Sequence, residues 1–142
     1  MIDHIWTVPC RQAIIDRDTN LVSLLNVIEQ VTIPEKPKSE GIVPMQVEVV
    51  SLWQRSDPGV PSESRARVTF RSPTGEDLAA GEFELDLSQW QRLRTRHCFR
   101  GLPVREEGQY RFSVELWQGS GAQWEEVASI PMEIVFRPSE EQ

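Results

Sequence analysis

Lysine is nearly absent from this 142-residue sequence, which has two against 13 arginines. Cysteine and histidine are as scarce, with two of each, and there is a single tyrosine. Two cysteines cannot build a disulfide scaffold. No apolar run approaches the roughly 18 residues of a membrane-spanning helix. The start, Met1-Ile2-Asp3-His4, has neither the basic patch nor the apolar stretch of an export signal. The expected compartment is therefore the cytoplasm, with no membrane partner. Thiols stay reduced there, so Cys10 and Cys98 read as free core residues. The alternative is a bridge between an early and a late strand, as in immunoglobulin domains. Excess positive charge is also missing. The formal net charge is −7 and the isoelectric point is near 4.9. A general nucleic-acid binder, which neutralises phosphates with Lys and Arg, is excluded.

What is present is an ordinary globular composition, 39% hydrophobic and 26% charged, long enough for one core. Residues 1–137 are expected to form a single domain, and residues 138–142 a short acidic tail. The dominant pattern is alternation with a period of two, the mark of half-buried strands. Ala66, Val68 and Phe70 alternate with Arg65, Arg67, Thr69 and Arg71. After the turn Ser72-Pro73-Thr74-Gly75, the residues Ala79, Gly81, Phe83, Leu85 and Leu87 oppose Glu82, Glu84 and Asp86. These two runs predict a hairpin. Further inward sets are Val43, Met45, Val47, Val49 and Trp53, then Tyr110, Phe112, Val114 and Leu116. Leu93, Thr95, His97 and Phe99 mark another strand. A last strand carries Trp124, Ala128, Ile130, Met132, Ile134 and Phe136 on one parity, with Pro131 suggesting an edge or a bulge.

The first third is less regular. Ile2, Trp6, Val8, Cys10 and Ile14 share a parity, with Pro9 at an expected bulge. The stretch Leu21–Ile33 fits helical spacing in Leu21, Leu24, Leu25 and Ile28. Its β-branched load favours a strand, expected to be central and buried on both faces. About eight strands without a clear helix predict an all-β, antiparallel, immunoglobulin-like or C2-like β-sandwich.

Two segments carry a likeness. One is Trp6–Ile33, with its Asp16-Arg17-Asp18-Thr19-Asn20 turn. The other is Leu102-Pro103-Val104 followed by Gly108-Gln109-Tyr110-Arg111-Phe112. Together they resemble a family of small, uncharacterised bacterial β-sandwich proteins. The resemblance implies the fold. It implies no activity, cofactor or site residue, because the family has none established.

Catalytic and metal chemistry find little support. His97 and Cys98 are neighbours and would face apart on a strand. His4 and Cys10 would lie about 20 Å apart at roughly 3.3 Å per residue. No zinc spacing occurs. Gly119-Ser120-Gly121 lacks the nucleophile-elbow spacing and reads as a hairpin tip. No phosphate-binding glycine motif exists. Asp16, Asp18 and Asn20 begin like a calcium loop, but its glycine and distal glutamate are missing. No cofactor, no metal and no enzymatic activity are expected.

Arginine and tryptophan are the unusual residues. Ten arginines fall between Arg55 and Arg111. Arg65, Arg67 and Arg71 line one predicted strand face. Arg92, Arg94, Arg96 and Arg100 line another. Each set is either an anion- or acid-binding surface or a row of cross-strand ion pairs. A hairpin register with an index sum near 151 places Arg67 opposite Glu84 and Arg65 opposite Asp86. Trp6, Trp53 and Trp124 share parity with core residues, whereas Trp90 falls in a loop and Trp117 on a polar face. The expected function is a non-catalytic interaction module, binding a protein partner or itself through Trp90, Arg92, Arg94, Arg96, Arg100 and Trp117. The alternative is a binder of a sugar or an anionic metabolite that uses Trp and Arg.

Overall fold

Alternating apolar and polar residues fold into strands, with no helix among the described residues. The computed structural model describes residues 1–34, 41–119 and 121–137. The acidic tail, most of the loop from Pro34 to Gly41 and Ser120 of the hairpin tip lie outside them. The strands are β1 (Ile2–Ile15), β2 (Val22–Val27), β3 (Gln30–Ile33), β4 (Ile42–Val43), β5 (Val47–Arg55) and β6 (Ser62–Arg71). They continue with β7 (Asp77–Leu87), β8 (Arg92–Phe99), β9 (Leu102–Pro103), β10 (Gly108–Gln118) and β11 (Gln123–Phe136). The count exceeds eight because β4 and β9 are two-residue pairs and Leu21–Ile33 splits in two.

One sheet has the order β2-β1-β5-β8 and the other β3-β11-β10-β6-β7, with β4-β9 as a small third. The pairing is antiparallel except between β3 and β11, which run parallel. One apolar cluster draws on both large sheets. Val47, Val49, Trp53 and Phe99 come from the first, and Phe70, Leu85, Tyr110, Phe112, Val114 and Met132 from the second. Tyr110 stacks on Phe70 with ring centroids 5.2 Å apart. All inward residues expected for β6 and β10 are buried.

The stretch Leu21–Ile33 is extended, but it is neither central nor buried on both faces. Its two strands lie at the edges of different sheets. Asn26 has φ 55°, a left-handed conformation that asparagine tolerates. Beyond it the chain crosses between the sheets. The Ile28 amide donates to the Pro9 carbonyl, and the Glu29 carbonyl accepts from the Glu133 amide.

Bulges explain the other departures. The shift in β1 lies between His4 and Trp6, not at Pro9. It leaves Ile5 as an extra residue and reverses the parity that follows. His4 pairs with Trp53 on the core face, while Trp6 pairs with Leu52 on the opposite face. Trp6 therefore packs with Cys10, Ala13 and Val50 in a smaller cluster. A second shift, where Glu115 faces Glu126 and Val114 faces Ala128, moves Trp124 out of the main core to pair with Trp117. Pro131 sits in regular pairing with Arg111. Since β3 joins β11 only from Glu133 onward, the strand is open on its other side at Pro131.

The hairpin register is also corrected. Its index sum is 149, which places Arg67 opposite Glu82 and Arg65 opposite Glu84. A slip of two residues preserves every face.

Candidate functional site

Of the β8 arginines, Arg94 and Arg96 hold the protein's own backbone. Even-numbered β8 residues point away from the core, since Phe99 points into it. β1 pairs with β5 as far as Cys10 and then leaves it. Beyond that point the β1–β2 hairpin crosses over β5 toward β8. Arg94 Nη2 donates to the Asn20 carbonyl at 2.9 Å, and Arg96 Nη1 to the Ala13 carbonyl at 3.2 Å. From β5, Glu48 Oε2 accepts from the Ala13 amide at 2.7 Å. Both backbone groups of Ala13, which a neighbouring strand would otherwise satisfy, are thus bound by side chains. Underneath, Cys10, Ala13 and Val50 are buried against Val22 and Leu24. Arg92 Nε donates to Gln54 Oε1, and Arg100 is exposed beyond the strand end. Trp90, 68% exposed, lies just before β8.

Trp117 belongs elsewhere. It projects from the outer face of the five-stranded sheet, with its ring edge-on to Trp124 at 5.3 Å. The expected single surface of Trp90, Trp117 and the β8 arginines is therefore divided between two sheets. The Arg65, Arg67 and Arg71 set shares the face of Trp117 and is paired with acids. Arg67 makes a two-point contact with Glu115 at 3.1 and 2.9 Å, and its guanidinium lies 4.3 Å from the Trp124 ring centre. Arg71 contacts Asp77, Glu115 and Glu126. Arg65 pairs with Glu82. A depression of about 340 Å³ beside Trp117 is lined by Glu63, Ser64, Arg65, Glu84 and Asp86.

Between the sheets runs a polar line that is buried at Thr7 and Ser51 and half-buried at its ends. His4 Nε2 lies 2.6 Å from Thr7 Oγ1, which lies 2.7 Å from Ser51 Oγ. Trp53 Nε1 donates to Thr95 Oγ1, and Thr95 faces Ser51 across the pair of strands. Ser51 is completely buried, so its hydroxyl satisfies Thr7 and is closed to a substrate. Burial holds the His4 and His97 imidazoles below their ordinary pKa. No group of three or more His, Cys, Asp or Glu residues placed to hold a metal occurs among the described residues, and no helix there is long and apolar enough to cross a membrane.

The feature that sequence reasoning missed is the outward side of the hairpin. Ile14, Leu21, Leu25 and Val27 are all exposed there. The apolar surface continues past Val27 into a groove of about 410 Å³ lined by Thr7, Pro9, Ile28, Ile130 and Pro131. The signal was present in the doublets Ile14-Ile15 and Leu24-Leu25, where apolar residues occupy both parities. No family model matches the chain, and no curated protein matches it.

Proposed function

We propose that the chain is a non-catalytic, immunoglobulin-like β-sandwich module that docks a protein partner on its β1–β2 hairpin. Strand order supports the architecture. β1-β5-β8 corresponds to strands A, B and E of that fold, and β11-β10-β6-β7 to G, F, C and C′. Tyr110, near the start of β10, donates its hydroxyl to the Glu106 carbonyl at 2.8 Å, as the tyrosine corner of strand F does. Where antibody domains place a cysteine two residues later, this chain has Phe112. The likeness to small bacterial β-sandwich proteins and a cytoplasmic location belong to the same reading.

The observation that carries the docking reading is a clamped hairpin with an apolar outer side. Glu48, Arg94 and Arg96 hold it against β5 and β8, while Ile14, Leu21, Leu25 and Val27 face water. Contiguous exposed apolar surface of this kind marks interaction sites. The partner is a protein presenting an extended segment to the β2 edge, the β-augmentation mode. A photo-crosslinking residue at Ser23, compared with one at Glu84, tests this in extract of the native cell. Protein adducts are expected at Ser23 and not at Glu84. Absence of adducts at Ser23 would overturn the reading.

A second reading follows from the depression beside Trp117. An aromatic ring flanked by carboxylates suits a neutral saccharide better than an anionic metabolite. Glu63, Glu84 and Asp86 surround Arg65 there, and Arg65 is already paired with Glu82. Titration with neutral oligosaccharides, monitored by tryptophan fluorescence, decides it. A signal lost in Trp117→Ala supports the site, and an unchanged spectrum removes it.

A further inference from the structure

We infer that the strand docking on β2 is β2 of a second copy of this chain, paired antiparallel about a two-fold axis so that two four-stranded sheets become one of eight. This rests on the docking reading above and names the partner.

The two large sheets end in four edge strands, β2, β8, β3 and β7. In a two-fold interface each copy offers the same patch, so a charged strand meets its own charge, and like charges across a strand pair are destabilising. β7 would bring Asp77, Glu82, Glu84 and Asp86 against themselves. β8 would do the same with Arg92, Arg94 and Arg96. β3 is four residues long and stops at Pro34, and short, proline-ended edges resist pairing. β2, Val-Ser-Leu-Leu-Asn-Val, has no charge and no proline. No strand among the described residues pairs with its outer side, and Ser23, Leu25, Asn26 and Val27 are exposed. On a chain of net charge −7, this neutral strip is the edge of full strand length at which two copies meet without opposing like charges. The neighbouring Ile14 and Leu25 of each copy then extend one apolar strip across the joint.

The other edge of the hairpin is closed to such pairing. Where β1 leaves β5, the Ala13 amide and carbonyl are occupied by Glu48 and Arg96. The same two side chains that fix the hairpin thus direct strand addition to β2.

The test is the molar mass of the full chain by light scattering over a dilution series, with Ser23→Lys and Ser23→Asp as variants. Ser23 is exposed, and circular dichroism establishes that each variant is folded. The unaltered chain is expected to dimerise. Each variant alone should dissociate at a concentration at least roughly tenfold higher, a change of about 1.4 kcal/mol. An equimolar mixture of the Lys and Asp variants should recover the dimer, which a folding defect would not do. A monomer at the highest soluble concentration overturns the inference, as does a dimer indifferent to both variants. Adducts of a different protein at Ser23 alongside a monomeric chain would reject the second copy and leave the docking reading intact. Absence of both dimer and adducts would reject the two together.

Discussion

The Glu48 carboxylate and the Ala13 amide, 2.7 Å apart, join β5 to the part of β1 that no longer pairs with it. Glu48 is buried, so Glu48→Ala leaves the Ala13 N–H without its acceptor and should cost about 1–3 kcal/mol. Arg96→Ala, at a more exposed position, should cost about 1 kcal/mol. Both are measured by denaturant unfolding. In each variant, amides of residues 11–25 should exchange faster than those of β5 and β10. Uniform change across all strands would count against the clamp.

Gly81 is required by a ring rather than by a turn. A Cβ at this position would lie 1.9 Å from the His97 imidazole, which is half-buried between Phe83 and Phe99. Gly81→Ala should destabilise the chain by about 1–3 kcal/mol through overpacking. His97→Ala in the same chain should recover part of that loss, a coupling visible in a double-mutant cycle. Strict additivity would mean that the two do not touch.

Stability should fall on mild acidification. His4 and His97 are held below the ordinary value of 6.5 by desolvation, so protons bind the unfolded chain more readily. Their contribution is complete above about pH 6.5 and is lost as the pH drops below it. Hydrogen bonds to Asp16, chiefly from the Thr19 amide, and to Asp86, chiefly from the Ser88 hydroxyl, lower those carboxyls. Their contributions disappear only in stronger acid. Melting temperatures taken from about pH 8 to about pH 5 should decline, and the decline should flatten in a His4→Gln, His97→Gln variant. An unaltered slope in that variant would place the effect elsewhere.

Glu115 is the hub of the arginine face, with Arg67 and Arg71 both on its carboxylate. Its side chain is 11% exposed and that of Arg67 is 32% exposed, so the pairing is neither dry nor fully solvated. Glu115→Ala should cost about 2 kcal/mol, between the values for surface and buried pairs. Arg65→Ala, whose pair is exposed, should cost less than about 1 kcal/mol. Equal losses would show that burial is not what separates them.

The two thiols should differ sharply. Cys10 and Cys98 both face Glu48, from opposite sides. They therefore stand two strand spacings apart, about 10 Å, beyond the roughly 7 Å that a disulfide spans. Cys98 is exposed and Cys10 is buried. Burial, followed by the Glu48 charge, raises the Cys10 thiol pKa. Mass spectrometry of the native chain after brief alkylation should show one modification, at Cys98, and two after unfolding. No modification after unfolding without reductant would contradict the free thiols.

Alternation along the chain was enough to recover the strands and most of the main core. Ala66, Val68, Phe70, Tyr110, Phe112, Val114 and Leu116 were all legible, because a side chain's face is set locally by the pleat. The bulges were not legible. Ile5 and the extra residue near Val127 carry no marker of their own, yet each reverses the parity of a tryptophan. Pro9 and Pro131 carried markers and bent nothing.

The sequence by itself determined that most of the chain forms strands and that its arginines occupy strand faces, since period two is a property of neighbours. It could not determine which acid each arginine meets, because register depends on two strands and a turn. Nor could it show that Arg94 and Arg96 bind the carbonyls of Asn20 and Ala13, residues 74 and 83 positions away. Only the tertiary structure decided that the hairpin folds back over β5, leaving β2 as a neutral, open edge.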